Sequence, residues 1–498
     1  MARTTYLLAI DQGTTGTRAL LYDALGRIAG TSYLEFRQYY PRPGWVEHDA
    51  REIWGSTLRV ISKTLTTGRI SASQIVAIGI TNQRETTVLW EKKTGRPVSP
   101  AMVWQDRRTA DLCDQLKTKG LEPLFRERTG LVLDPYFSGT KIQWLLHHVP
   151  GLRRKARRGE VLFGTIDTWL LWNLTRGRVH ATDATNASRT LLLNLKKVDW
   201  DPELLKILQI PRALLPEVQP SSHIFGKTAA VGPLSAGIVI GSLVGDQQGA
   251  LFGQGCYQAG EMKNTYGTGC FLMMNEGKKF RRPAGGLITT LACDATGRTA
   301  YALEGAVFIT GAAIQWLRDG LKFIRKAAET EKIARALKDT AGVVVVPAFT
   351  GLGSPHWEPK ARGAIFGLTR GTRREHLIKA TLESIAFQSA DVFEAMSRAL
   401  GRRPRSLKVD GGATANDYLM QFQADLLGVP ILRTDRTEST AWGAAKLAGL
   451  ASGFWKDVTR IDRMRRYDRF LPKMPVPERR KQLAAWRSAV RRLLGNGR

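Results

Sequence analysis

The sequence predicts an α/β protein built as two similar halves, and three stretches carry that prediction. Tyr6 to Asp23 reads as an apolar run ending in a carboxylate, a Gly/Thr turn, and a second apolar run: strand, turn, strand. Asn264-Thr265-Tyr266-Gly267-Thr268-Gly269-Cys270-Phe271 repeats the Gly/Thr turn in the second half and leads into a strand, Leu272 to Met274. Such duplication marks two similar domains. Between them, Ile238 to Gly245 is a strand rich in β-branched residues, and a helix begins after it.

Length and composition narrow the class. The 498 residues accommodate two large domains, and 43% hydrophobic with 24% charged residues is ordinary for a globular chain. The longest apolar stretches, such as Val343 to Phe349, are too short to span a bilayer. Met1 to Thr5 runs into the first strand without a signal-peptide pattern, so a cytoplasmic protein is expected. Cys113, Cys256, Cys270 and Cys293 show no CxxC spacing, which fits reduced thiols and no structural zinc. A net charge of +30 raises nucleic acid or an anionic membrane as partners. The basic residues are spread out, with clusters at Arg153 to Arg158, Arg402 to Arg405 and Arg460 to Arg469. With no RNP-type aromatic pattern and no zinc-finger spacing, solvated faces and no specific nucleic acid are expected.

Taken in order, the first hairpin is a candidate phosphate cradle. Gly13 and Gly16 are expected to supply positive φ and close backbone approach, and the hydroxyls of Thr14, Thr15 and Thr17 to add donors. Asp11 at the strand end suits Mg²⁺, and Arg18 adds charge nearby. A plain buried hairpin is the alternative, because short Gly/Thr motifs recur by chance. Asp49 is expected to cap a helix, with Glu52 completing a capping box. Ile75 to Thr81 is a strand ending at Asn82-Gln83-Arg84-Glu85; Thr87 to Trp90 is another, and Trp104-Gln105-Asp106-Arg107 sits at a further strand end. Arg84 and Glu85 read either as a surface ion pair or as a clamp on adjacent polyol hydroxyls, with Trp104 as an apolar wall.

Tyr136 precedes a helix whose stripe is Ile142, Leu145 and Leu146, and is either core or a hydroxyl donor. Val161 to Thr165 is a strand and Ile166 to Leu174 a helix. Asp246, at the end of the Ile238 strand, is either a helix cap or a general base, and the segment to Leu251 reads as a hinge between the halves. Leu407 to Asp417 is a strand, a Gly-rich turn and a helix start that lets a flat ligand approach backbone. Phe225-Gly226-Lys227-Thr228 resembles the end of a Walker A loop but has Ser221 where the first glycine belongs, which excludes it. In the last helix, Glu478 to Leu494, the stripe Leu483, Trp486, Val490, Leu493 and Leu494 with Arg on the other face reads either as a basic amphipathic helix on a membrane or, the favoured reading, as a peripheral helix docked on the second half.

Together these motifs resemble the FGGY carbohydrate kinase family over almost the whole chain. Tyr136 to Val149 resembles its first signature, and Gly411 to Ile431 its second. Asn82 to Glu85, Trp104 to Arg107 and Gly245 to Gln248 resemble its glycerol-phosphorylating members more than its pentulose and gluconate kinases. The resemblance implies two ribonuclease H-like domains of the actin/hexokinase type flanking a catalytic cleft. Residues 1–252 would hold the glycerol site and first phosphate hairpin, and 253–498 the nucleotide site and last helix. It implies transfer from ATP, with Mg²⁺, to glycerol, giving sn-glycerol 3-phosphate as the first step of glycerol utilisation. It places Arg84, Glu85, Trp104, Tyr136, Asp246, Gln247 and Phe271 on glycerol, with Asp246 as base. It places Thr14, Thr15, Gly16, Arg18, Thr268, Gly311, Gln315, Gly412 and Asn416 on the nucleotide, and Asp11 with Asp246 on the metal. A homo-oligomer, dimer or tetramer, is expected. One departure stands out: Gly226 to Leu234 is shorter than the family's effector loop and lacks its bisphosphate-binding arginine. A sibling polyol kinase and a nucleotide-binding module that hydrolyses ATP without an acceptor are the competing readings.

Overall fold

A computed structural model describes residues 4–281, 285–435, 438–463 and 465–495; the expected leaderless start at Met1 to Arg3 lies outside them. The first hairpin forms as expected, from β1 (Tyr6–Gln12) and β2 (Gly16–Tyr22), and the chain continues into β3 (Ile28–Glu35) and α1 (Ala50–Gly68). Asp49 caps α1, accepting from the amides of Arg51 at 2.7 Å and Glu52 at 3.4 Å. The expected box does not close: the Glu52 carboxylate accepts instead from the Arg37 amide, 3.1 Å away. Next come β4 (Ile75–Asn82), α2 (Ser138–His148), β5 (Ser222–Lys227), β6 (Val239–Gly245) and α3 (Asp246–Gly253). The Phe225 to Lys227 stretch is thus strand, in keeping with its exclusion as a phosphate loop.

The second half contains β7 (Met262–Tyr266), β8 (Cys270–Gly277), β9 (Ile288–Cys293), β10 (Thr299–Val307) and α4 (Arg374–Leu400). It ends with β11 (Leu407–Asp410), α5 (Asp417–Leu427), β12 (Ile431–Thr434), α6 (Ser439–Ala451), β13 (Tyr467–Phe470) and α7 (Val476–Leu493).

The two halves repeat one another in topology. The first sheet runs β5-β6-β4-β1-β2-β3, and the second, read from its far edge, β13-β12-β11-β7-β8-β10-β9. In both, the hairpin strands pair antiparallel, β1 with β2 and β7 with β8. The first hairpin strand pairs parallel with a strand that arrives later, β4 or β11, which pairs parallel with the next, β6 or β12. Parallel neighbours need a crossover, so both hairpin turns lie at the end of the sheet where the crossover strands terminate, a usual place for ligands in open α/β sheets.

Helices α3 and α6 join the sheets. The α6 residues Ala441, Trp442, Ala444 and Leu447 pack with Leu7, Ala9, Ala77 and Val244 of the first sheet, although α6 belongs to the second half of the chain. Leu251 of α3 packs on Met273, Ala292 and Ala302 of the second sheet, while its neighbour Phe252 enters the first-sheet cluster. Burying one such side chain stabilises by roughly 1.5–3 kcal/mol. The helices touch backbone to backbone: a Cβ on Gly443 would lie 1.9 Å from the Gly249 carbonyl oxygen. The last helix docks as expected. Trp486 stacks on Phe387 at 5.3 Å and donates to Asp391 at 2.7 Å, beside buried Leu483 and Val490. No helix among the described residues is long and apolar enough to cross a membrane.

Candidate active site

The two Gly/Thr turns close alike, Gly13 N–H donating to Gly16 O at 2.9 Å and Gly267 N–H to Gly269 O at 2.8 Å. The first turn departs from expectation in two ways. Neither Gly13 nor Gly16 takes a positive φ; a Cβ on Gly16 would meet the end of the Tyr33 side chain at 2.5–2.7 Å, an exposed group that can swing aside. Thr17 does not join the cradle, because β2 turns it into the core, where its hydroxyl meets that of Ser56 at 3.1 Å. Thr14 and Thr15 remain at the turn. Thr14 accepts from the indole of Trp104 at 2.9 Å, and Thr15 approaches the Tyr33 hydroxyl at 3.4 Å. Arg18 lies over Tyr33 and pairs with Glu438, the residue that precedes α6.

Behind the turn runs a buried amide relay absent from the sequence reading. Gln83 donates to Gln12 Oε1 at 3.1 Å and Gly13 O at 3.2 Å, and its amide approaches His48 Nδ1 at 3.4 Å. His48 Nε2 donates to Gln38 Oε1 at 2.6 Å, and Gln38 donates to Thr14 O at 3.1 Å. Burial pushes the His48 imidazole down to about 4, so the ring is neutral.

On the second hairpin, Thr268 is exposed and its carbonyl accepts from the amides of Thr310 at 2.9 Å and Ala312 at 3.1 Å. The short helix Gly311–Gln315 is thereby seated on the turn, and a Cβ on Gly311 would lie 2.5 Å from Gly267 O. Gln315 and Gly412 are exposed, with open space around Gly412. Register sets Thr265 beside Asp410, which brings the Gly411-Gly412 turn next to this hairpin. Asn416 caps α5, its Oδ1 accepting from the Leu419 amide at 2.9 Å and its amide donating to Thr330 at 3.2 Å.

The strand ends bring the other group together. Arg84 and Glu85, 2% and 1% exposed, are no surface ion pair. The Arg84 guanidinium places its terminal fork on Glu304 of β10, Nη1 at 2.5 Å and Nη2 at 3.2 Å, and Nη1 also donates to Gln248 at 3.2 Å. Of its five N–H groups, Nε–H and one Nη2–H make no hydrogen bond among the described residues. Those two share one edge of the plane, with Asp246 Oδ1 3.2 Å from Nε. Glu85 stands at φ +62°, a strained backbone for a glutamate. Its carboxylate accepts from Arg189 Nε at 2.6 Å and its carbonyl from Ser138 at 2.9 Å. Arg189 also reaches Glu304, Nη2 to Oε1 at 2.9 Å. Burial alone would raise the Glu304 carboxyl, but Arg189 and Arg84 hold it down at about 2. Tyr136 meets Trp104 edge to face at 5.5 Å, beside Arg189.

Asp246 is the first residue of α3, and Gly245 is the cap. Its Oδ1 accepts from the Gln247 amide at 2.6 Å. Burial raises its carboxyl, and Arg84 and Lys263 oppose the rise. Buried Lys263 spends its ammonium on Gln247 Oε1 at 2.5 Å, Thr265 Oγ1 at 2.9 Å and Phe271 O at 3.3 Å, reaching two candidate substrate residues at once. Asp11 is pushed up to about 7 by burial, then by Asp246 and Glu438, with Arg18 opposing. Asp11 and Asp246 are hard oxygen donors of the kind Mg²⁺ prefers.

Arg84, Glu85, Trp104, Tyr136, Asp246, Gln247 and Phe271 thus gather through the contacts above, and Asp11 couples to them. Thr268, Gly311 and Gly412 gather around the second hairpin. Sequence reasoning missed Arg189, Glu304, Lys263 and His48. The available signal was a charge inside an otherwise apolar strand, as in Ala302-Leu303-Glu304-Gly305-Ala306.

The model of the FGGY family of carbohydrate kinases matches this chain, its N-terminal domain over residues 6–253 and its C-terminal domain over 262–452. The chain is similar to glycerol kinase 2 of Thermotoga maritima, with 56% identity over 491 residues, 98% of this chain and 99% of the relative. It is similar to the glycerol kinase of Escherichia coli O8, with 54% identity over 99% of both chains. Among solved structures it is similar to Plasmodium falciparum glycerol kinase with ADP, with TM-score 0.93, 36% identity, and 99% and 98% of the two chains covered. A ligand-bound xylulose kinase from Lactobacillus acidophilus shares the fold, with TM-score 0.89 at 22% identity over 99% and 98% of the two chains.

Proposed function

The chain belongs to the FGGY family of carbohydrate kinases, and from that premise we propose that it transfers the γ-phosphoryl group of ATP to glycerol. The products are sn-glycerol 3-phosphate and ADP. Full-length relatives named glycerol kinase at 54–56% identity support the reaction. The observation in the chain itself that carries it is the Nε/Nη2 edge of Arg84, turned away from Glu304 and lying beside Asp246 Oδ1. Such an edge holds two adjacent hydroxyls of a small polyol, and a module that merely bound nucleotide would have no use for it.

In this reading Arg84 and Glu85 fix two hydroxyls of glycerol, while Trp104, Tyr136 and Phe271 wall its carbons and Gln247 contacts it from α3. Asp246 accepts the proton of the terminal hydroxyl as its oxygen attacks the γ-phosphorus, and ADP departs. Phosphoryl transfer asks little covalent chemistry of the protein, so positioning and charge carry the catalysis. Thr14, Thr15, Gly16 and Arg18 receive phosphate oxygens on one side, and Thr268 and Gly311 on the other, with Gln315, Gly412 and Asn416 along the nucleoside. Mg²⁺ would be held by Asp11 and Asp246; when bound it neutralises charge on the phosphates. The carboxylate repulsion felt by Asp11 supports that donor set.

We divide the chain functionally at 252/253, with the polyol clamp and the first phosphate hairpin before the boundary, and the rest of the nucleotide site with the last helix after it. Reduced, buried Cys113, Cys256, Cys270 and Cys293 support a cytoplasmic location. Exposed Ile28 and Tyr33 on edge strand β3, with exposed Leu25 in the turn before it, support a homo-oligomer, which light scattering would measure.

The test is ADP release by purified protein with ATP and Mg²⁺, comparing glycerol, dihydroxyacetone, xylulose, gluconate and no acceptor. Turnover that depends on glycerol is expected. Turnover with another acceptor moves the clamp to that ligand, and equal turnover without acceptor overturns the kinase reading.

A further inference from the structure

Glu304 lies outside every proposed substrate contact, yet it is the point on which the polyol clamp converges. It sits in β10, on the second sheet, with 1% of its surface exposed. Both of its oxygens are taken by guanidiniums from the first half: Oε2 by Arg84 Nη1, and Oε1 by Arg84 Nη2 and Arg189 Nη2. Arg189, fully buried, uses its Nε for Glu85. One carboxylate therefore orients both members of the clamp, Arg84 directly and Glu85 through Arg189.

The consequence is geometric. A guanidinium offers two bidentate edges, and a carboxylate facing the terminal fork leaves the Nε/Nη2 edge for a ligand. Without Glu304, the nearest anions to Arg84 are Asp246 at 3.2 Å and Glu85 at 3.8 Å, both on the ligand side. Arg84 would turn its donors onto those carboxylates, consuming the groups meant for hydroxyls. Glu85, held in a strained φ, also depends on Arg189 keeping its direction.

We propose that Glu304, acting with Arg189, is a positioning residue of the acceptor site: it reaches across from the second sheet and sets which edge of Arg84 and which face of Glu85 glycerol meets, and hence which terminal hydroxyl is phosphorylated. This rests on the glycerol kinase reading above.

Glycerol is prochiral, so the product itself reports on the clamp. The experiment compares wild type, Glu304→Gln, Glu304→Asp and Arg189→Lys, measuring KM for glycerol, KM for ATP, kcat, and the ratio of sn-3 to sn-1 glycerol phosphate. Glu304→Gln is expected to raise the glycerol KM by at least about tenfold and the ATP KM by less than about twofold, and to release measurable sn-1 product. Arg189→Lys keeps the charge but cannot span Glu85 and Glu304, and is expected to behave likewise in weaker form. Glu304→Asp, which keeps the carboxylate, should recover part of the stereochemical purity.

Removing one partner of a buried ion pair is destabilising, so the thermal midpoint of each variant is measured in parallel. If Glu304→Gln fails to fold, Arg189→Lys and Glu304→Asp carry the test. Equal rises in both KM values with an enantiopure product would overturn the proposal and leave Glu304 a structural ion pair. Unchanged kinetics would overturn it too. Absence of glycerol turnover in the wild type would instead overturn the reading on which it rests.

Discussion

Lys263 of β7 donates a 2.5 Å hydrogen bond to Gln247 of α3, so an ammonium from the second sheet holds a side chain in the first turn of the helix that follows the first sheet. With the same nitrogen it reaches Phe271 O at 3.3 Å. Lys263→Met would leave Gln247, Thr265 and the Phe271 carbonyl without that donor. A buried acceptor left unpaired costs about 1–3 kcal/mol. Part of that cost falls on the acceptor site, so the glycerol KM is expected to rise about tenfold while the ATP KM stays within about twofold. Steady-state kinetics with each substrate varied in turn measures both; an unchanged glycerol KM would show that Gln247 needs no such anchor.

Asp246→Asn tests the base. The amide keeps the shape and can still face Arg84, but it cannot accept the hydroxyl proton. General-base catalysis contributes about 10²–10⁴-fold, so kcat should fall by that order with glycerol KM changed far less. Near-normal kcat under single-turnover conditions would remove Asp246 from that role.

How much of this was legible beforehand follows sequence distance. The first hairpin, the strand ending at Gly245 and the Gly-rich turn after Leu407 are local patterns, and each formed where its residues indicated. Asp246 could be singled out because strand end and helix start adjoin in sequence. Glu304 and Arg189 could not, because their meaning comes from pairing 115 residues apart, and Glu304 lies 220 residues from Arg84. A lone Glu in an apolar strand says only that some buried cation must answer it. The first turn differs for a related reason: the close neighbour of Gly16 is Tyr33 of another strand, and neither Gly13 nor Gly16 uses the positive φ that the local pattern suggests. Thr17 was misassigned because period-two alternation already puts it on the core face of β2.

Gly443→Ala separates propensity from packing. In a free helix the change stabilises by about 1 kcal/mol. In α6, however, the new methyl would meet the Gly249 carbonyl oxygen at 1.9 Å, and backbone cannot swing aside as a side chain can. Overpacking costs typically about 1–3 kcal/mol, so the variant should be less stable, with a lowered urea midpoint. A raised midpoint would mean that α3 and α6 separate freely.

His48 makes stability depend on pH. Its imidazole titrates near 6.5 when unfolded and about 4 when folded, so the unfolded chain binds more protons in that window. Stability is therefore full above about 6.5 and falls as pH drops toward 4, with roughly 3 kcal/mol at stake for this one group. Burial gives His180 the same direction. Urea unfolding at pH 7 and pH 4.5 should show a larger loss in wild type than in His48→Gln; equal losses would place the acid sensitivity elsewhere. Because the folded ring stays neutral down to about 4, the relay from His48 through Gln38 to Thr14 O is unchanged over that window, and only the stability responds.

Asp11 sets stability against function. Its carboxyl is raised to about 7, by burial first and then by the carboxylates of Asp246 and Glu438. The ionised form is therefore penalised in the metal-free fold: the penalty is absent below about 3.8, grows as pH rises, and is full above about 7. Asp11→Asn removes the charge and keeps the size, so at pH 8 it should stabilise the metal-free protein by roughly 2–4 kcal/mol. The same substitution takes one of two carboxylates from the cation, so kcat should collapse and the Mg²⁺ concentration for half-maximal rate should rise. Thermal unfolding in EDTA and a Mg²⁺ titration of activity measure the two effects separately. A variant less stable in EDTA than wild type would show that Asp11 is a structural partner. A more stable variant with an unchanged Mg²⁺ requirement would show that the cation is held elsewhere. Gain in one and loss in the other is the mark of a site whose strain serves its ligand.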